Sequence, residues 1–266
     1  MQEQLAWAMG KPGIEDQMLS AQSDTEAYYG RFTKARDYSR LAVESARRTG
    51  APEAAAGWKA NEALREAEVG NLAQARQQAA EALALSDGRS VRVMAALAFA
   101  RAGDAAQAQK LAEKLDQEAP LNTIVQGYWL PSILGAIELS KNRPERAITI
   151  LKPALNYELG TQAPFGLGPM YPVYLRGLAF LQVGQGQAAA TEFQKLVEHP
   201  GIAGNFVLAP LAHLQLGRAY AMKGDIVAAR KLYQDFFALV ERCQSRHPSF
   251  RAGQSRVREV AVAESA

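Results

Sequence analysis

Residues 211–236 read LAHLQLGRAYAMKGDIVAARKLYQDF, and the rest of the chain is organised around this stretch. Apolar and small residues return at helical spacing on both sides of Gly224-Asp225. Leu211, Leu214, Ala219 and Tyr220 precede the break; Ile226, Ala229, Tyr233 and Phe236 follow it. That periodicity predicts two amphipathic helices joined by a tight turn. The glycine supplies the left-handed conformation that ends a helix, and the aspartate accepts the first free amides of the next.

The same unit recurs towards the N-terminus. The pattern predicts helix pairs over 14–29 with 31–48, 53–69 with 71–85, 89–102 with 104–117, 122–141 with 144–155, and 170–183 with 186–198. A lone helical stretch, 2–9, comes before them. Gly30, Gly70-Asn71, Gly103-Asp104, Asn142 and Gly184 stand at the breaks. The small residue of each first helix falls at 23, 63, 96, 135, 177 and 217, at intervals of 40, 33, 39, 42 and 40. Ala35, Ala75, Ala108, Ala147, Ala189 and Ala229 hold one position of the second helices. A fixed period with repeated turn chemistry predicts an all-α solenoid: six hairpins plus a leading half-unit over 1–240, wound as a right-handed superhelix.

Composition agrees with this class. Of 266 residues, 48% are hydrophobic but only 8% aromatic; the apolar content is largely alanine and leucine, which favours helices that approach closely. The formal charge of +3 is concentrated after residue 240, where five arginines face three glutamates, so the body is a poor phosphate-binding surface and no nucleic-acid partner is expected. Cys243 is the only cysteine, which rules out an intrachain disulfide. There is no apolar run long enough to enter a membrane and no signal-peptide pattern, so the expected location is cytoplasmic.

The order Leu216-Gly217, Tyr220, Gly224-Asp225, Ala229, Tyr233 resembles a tetratricopeptide repeat. Longer phrases are similar to the repeat region that follows the kinase domain in eukaryotic-like bacterial, notably acidobacterial, serine/threonine kinases. They are MLSAQSDTEAYYGRFTKAR (18–36), NEALREAEVGN (61–71), IVQGYWLPSI (124–133), YPVYLRG (171–177) and LAHLQLGRAYAMKGD (211–225). The resemblance covers about residues 2–240. It implies a helical-repeat fold and, were the parent kinase membrane-anchored, leaves a periplasm-facing location open. It does not imply kinase activity, because the glycine-rich loop, Val-Ala-Ile-Lys, His-Arg-Asp and Asp-Phe-Gly are all missing.

Residues 241–266 change character: scattered arginines, little helical period. Codons can be chosen for 241–262 that, read one base over, give SDANPDIPAFGRAKAEYAKLQ. That resembles the aspartate-proline turn and final helix of the kinase-associated repeats, so a frameshift is one origin of this tail, expected to be poorly ordered. The apolar ends of the array, with Leu5, Trp7 and Met9 at one and the pair ending near Val240 at the other, predict a homodimer in which like ends meet. The alternative is a monomer in which the leading helix folds back and hides Trp7.

Motifs for catalysis, cofactor or metal binding are absent from the sequence, and His199, His213 and His247 read as structural. Glu62, Glu66 and Glu68 read as solvated carboxylates on an alanine-rich helix. The expected activity is therefore protein or peptide binding. In tetratricopeptide arrays the first helices line a concave groove, and by that resemblance Trp129, Ser132, Tyr171, Tyr174, Leu178, Leu214 and Arg218 face it. Trp, Tyr and Arg suit a binding surface because they bury much area and keep polar groups. Phe165 lies in the glycine- and proline-rich connector 156–169, beside that groove. Packing of Trp129, Tyr171 and Tyr174 under the connector is the competing reading. Two other functions stand as alternatives: a hydrolase with an unrecognised site, and a regulatory arm that senses a small ligand beneath the connector.

Overall fold

A computed structural model describes residues 2–160 and 170–241, and among these the structure is helical with no strand. A short helix α1 (Gln2–Ala8) leads into six hairpins: α2 (Glu15–Tyr28) with α3 (Phe32–Arg48), α4 (Pro52–Glu68) with α5 (Leu72–Leu85), and α6 (Arg89–Arg101) with α7 (Ala105–Glu118). The fourth runs from a π-helical turn (Val125–Trp129) through α8 (Leu130–Ser140) to α9 (Pro144–Ile150) and a 3-10 turn (Lys152–Asn156). Then come α10 (Tyr171–Gln182) with α11 (Gly186–Glu198), a short turn α12 (Pro200–Ala203), and α13 (Leu208–Met222) with α14 (Ile226–Glu241). Every hairpin expected from the sequence is present.

One turn closes all six. Its penultimate residue is left-handed: glycine at 30, 70, 103, 184 and 224, and Asn142 with φ 55° in the fourth. The next amide reaches back to the carbonyl of the first helix's last turn, as in Asp104 N to Phe99 O at 2.8 Å and Asp225 N to Tyr220 O at 2.9 Å. This is the six-to-one bond that satisfies a helix end when the chain can turn left-handed. Asp104 and Asp225 then cap the following helices, their Oδ1 atoms accepting from Gln107 N and Ala228 N at 3.1 Å.

The register rests on close crossings. Ala35, Ala75, Ala108, Ala147, Ala189 and Ala229 are all buried. A Cβ on Gly135, Gly177 or Gly217 would come within 2.8, 2.6 and 2.6 Å of Leu151, Phe193 and Tyr233, the second-helix side chains that fill the space a glycine leaves. Each second helix also packs against the first helix of the next hairpin: α3 on α4, α5 on α6, α7 on α8, α9 on α10, α11 on α13. First helices therefore form an inner layer (α2, α4, α6, α8, α10, α13) and second helices an outer one.

That inner layer is closed. From Val91 to Ala100 every residue of α6 is buried, and from Ala55 to Ala67 only Lys59 of α4 is not. Tyr171 of the fifth hairpin meets Glu68 of the second, and Asn205, just before α13, donates to Ala21 O and Thr25 Oγ1 of α2 at 3.0 and 2.9 Å. Ends of the array five hairpins apart thus touch. At the leading end α1 packs on α2 and Leu5 joins the core, yet Trp7 and Met9 stay 62% and 55% exposed, so folding back does not hide Trp7.

Candidate functional site on the inner helices

Four inner helices bring polar and aromatic side chains to one place. Glu68, on the last turn of α4, has a fully buried side chain. Arg101, the last residue of α6, grips it with both arms, Nε to Oε1 at 2.7 Å and Nη2 to Oε2 at 2.9 Å. The Tyr171 hydroxyl of α10 donates to Oε1 at 3.2 Å. Bidentate geometry makes this one of the stronger ion pairs available to a protein. Tyr174 lies one turn further along α10, its ring edge-on to Phe193 at 5.8 Å. From α13, Arg218 Nη1 donates to Gln215 Oε1 at 3.1 Å.

Electrostatics fix the protonation states. Arg101 is pushed up by Glu68 despite the opposing cost of burial. Tyr171 and Tyr174 are pushed up, first by burial and then by the Glu68 charge, while Arg101 pulls both the other way, joined at Tyr174 by Gln215 and Arg218. The phenols are therefore neutral donors at any physiological pH. Glu68, held between two donors, is occupied as an acceptor and badly placed to act as a base.

The sequence-selected residues fall into two groups. Tyr171, Tyr174 and Arg218 do converge, around Glu68 and Arg101. The open groove expected for them is not what their burial shows: Trp129, Ser132, Tyr171, Tyr174 and Leu214 are all buried. Ser132 donates back to Tyr128 O at 2.6 Å, and Trp129 stacks edge-on against Tyr128 at 4.7 Å, so both serve their own hairpin. Leu178 and Arg218 alone among the described candidates remain half-buried and reachable. Phe165 lies outside the described residues.

The solvated reading of the α4 carboxylates is also corrected. Glu62 and Glu66 are buried, and Glu66 is held bidentately by Arg36 of the preceding outer helix at 2.9 and 2.8 Å. The partners sit 30 residues before Glu66 and 33 after Glu68, close to one repeat length, and that spacing is the signal that would have found them. Among the described residues no group of three His, Cys, Asp or Glu is arranged to hold a metal ion, and no helix is long and apolar enough to cross a membrane. No protein-family model matches the chain, and comparison with curated proteins finds no match.

Proposed function

We propose that this chain is a non-catalytic protein- or peptide-binding module built from tetratricopeptide-type hairpins wound as a right-handed superhelix. On this reading it is related to the repeat region of eukaryotic-like bacterial kinases. The repeated six-to-one turns, the buried alanine of every outer helix and the glycine crossings at 135, 177 and 217 support the repeat assignment.

One observation carries the binding reading. Tyr171 is held by Glu68 of another hairpin, which Arg101 grips in turn, Tyr174 feels the charges of Glu68, Arg101 and Arg218, and Leu178 and Arg218 are half-buried. A preorganised polar-aromatic base with an apolar and a cationic contact at its rim suits a peptide that sets an apolar side chain on Leu178 and a carboxylate against Arg218. Peptide-display selection against the whole chain, followed by Leu178→Asp and Arg218→Glu, tests this. Selected ligands should be enriched in acidic residues next to apolar ones, and both variants should lose them while circular dichroism shows the helical fold retained. Ligands indifferent to both substitutions would move the function elsewhere, and turnover of ester or phosphate substrates would replace it with catalysis.

A further inference from the structure

Three uncommon features meet between the fourth and fifth hairpins. The fourth hairpin opens with the π-helical turn Val125–Trp129, a rare conformation that concentrates at functional sites. It carries Tyr128, whose side chain is fully buried. The fifth hairpin opens on Met170, left-handed at φ 59° and ψ 21°, where a bulky residue is seldom found. From α10 comes Arg176, which is also buried.

Arg176 uses only part of its guanidinium. Nη2 donates to Glu158, just past the 3-10 turn, and to Glu192 of α11, the latter at 2.7 Å. Lys195 Nζ donates to Glu158 Oε1 at 2.8 Å and lies 3.4 Å from Glu192 Oε2, so the four side chains balance in charge. Arg176 Nε and Nη1 and the Tyr128 hydroxyl are buried with no hydrogen-bond partner among the described residues. Unpaired buried donors are costly, and such groups point to a ligand that supplies the acceptor. The main chain adds donors beside them. Burial pushes the Tyr128 hydroxyl up, the amides of Met170 and Tyr171 pull it back, and the charges of Glu158 and Arg176 reach it as well. A left-handed residue followed by a helical one turns its N–H groups into a single concavity that suits an anion. The first amides of α10 have no acceptor in their own helix and lie at its positive end.

We propose that this cluster binds a small carboxylate, its oxygens shared by Arg176, the Tyr128 hydroxyl and the main-chain amides that open α10. Charge selects this ligand. Arg176 and Lys195 are already offset by Glu158 and Glu192, so the helix end is left to attract a single negative charge. The second charge of a phosphate would face two glutamates with no cation to spare. Burial strengthens each donor relative to the surface, where water competes. The proposal goes beyond the peptide-binding reading, whose Leu178 and Arg218 it does not use.

Formate and acetate are the probes, each titrated into the full chain against chloride at matched ionic strength. The melting temperature should rise saturably with either carboxylate, and less with phosphate. Tyr128→Phe should weaken binding roughly tenfold or more, the worth of one hydrogen bond to a charged acceptor. Its ligand-free melting temperature should stand at or above the parent's, because an unpaired buried hydroxyl is gone. Arg176→Lys keeps a charge for Glu158 and Glu192 but removes the free Nε and Nη1 donors, and should weaken binding as much. Tyr128→Phe alone decides the matter if Arg176→Lys does not fold. Leu178→Asp and Arg218→Glu should leave carboxylate binding unchanged, which separates this site from the peptide-binding rim. The proposal is overturned by no saturable rise over chloride or by a rise that Tyr128→Phe keeps in full. A rise at least as large in phosphate also overturns it, leaving an adventitious ion only.

Discussion

The first two hairpins and the last three bury their inner helices equally well, with opposite materials. In α2 the buried side chains include Glu15, Asp16, Gln22, Ser23, Asp24 and Glu26, and in α4 they include Asn61, Glu62, Arg65 and Glu66. In α8 and α10 they are mostly apolar, among them Ile133, Ile137, Val173, Leu175 and the two tyrosines, with Ser132, Glu138 and Arg176, paired with Glu158 and Glu192, as the polar exceptions. The repeat geometry decides what is buried; the side chains decide how burial is tolerated. An apolar inner helix needs only volume, and a methyl group more or less is the unit of error. A polar one needs each charge to find a named partner, because an unpaired buried charge is far costlier than a void.

The largest expected effect tests the polar half. Arg65 is completely buried; it donates to Asp24 Oδ1 at 3.1 Å and to Ser39 Oγ at 2.8 Å, while Asn61 braces both oxygens of Asp24 at 2.9 and 3.0 Å. Arg65→Ala leaves the Asp24 carboxylate buried without its counter-charge and should cost about 3–5 kcal/mol in urea unfolding. Replacing both, Asp24→Leu with Arg65→Met, should lose clearly less than Arg65→Ala alone. If Arg65→Ala costs under about 1 kcal/mol, in the range of an exposed pair, water reaches this network and the contrast between the halves collapses.

The counterpart in the apolar half is Gly177→Ala. The added Cβ would lie 2.6 Å from two ring atoms of Phe193, which is itself fully buried against Tyr174. Overpacking of this kind should cost about 1–3 kcal/mol, read as a lowered melting temperature with an unchanged circular-dichroism spectrum. A neutral result would mean that the ring has room to turn, and that volume is not what limits this half.

Why the sequence announced one half of this picture and hid the other follows from range. Turns are local: Gly103-Asp104 or Gly224-Asp225 carries its own conformational instruction, so all six hairpins and their register are legible. Asn142, at φ 55°, is legible too, because asparagine tolerates that region. The inner cluster is not local. That Tyr171 meets Glu68 across 103 residues depends on how far each hairpin rotates against the last, a small angle that accumulates over the array and that no single motif encodes. Glu66 and Glu68 looked like part of a solvated face for the same reason: their arginine partners, Arg36 and Arg101, come from other hairpins. That Tyr171, Tyr174 and Arg218 lie on first helices was legible from repeat register, but whether the surface those helices form is open or closed was not.

Acidity separates the halves more gently. Burial raises the Asp24 carboxyl to about 6 from its ordinary 3.8, more than Arg65 and Asn61 lower it. With the folded value above the unfolded one, the native state holds the extra proton between roughly pH 4 and 6. The Asp24 contribution to stability is thus fully present below that window and lost as the pH rises through it. Glu62, also raised by burial, adds a slope of the same sign. Unfolding free energies at pH 4.5 and 7 should therefore diverge less in Asp24→Asn than in the parent. An identical pH dependence in the two proteins would place the Asp24 carboxyl at an ordinary value and in contact with water.

The smallest effect decides whether polarity or burial is the operative difference. Arg40 and Glu44 sit on α3, in the same polar half, four residues apart, with Nη1 to Oε1 at 2.9 Å. Like Arg65 with Asp24 it joins a guanidinium to a carboxylate, but it lies within one helix and its side chains are 60% and 47% exposed. In high dielectric the attraction is weak, salt screens it, and holding two long side chains together costs entropy. Arg40→Ala should change stability by no more than about 0.5 kcal/mol, and less still in 0.5 M salt. Arg65→Ala, shielded from solvent, should keep its cost in the same salt. Equal salt sensitivity of the two variants would show that the ions reach both pairs alike, and the polar interior of the first hairpins would then be a surface in disguise.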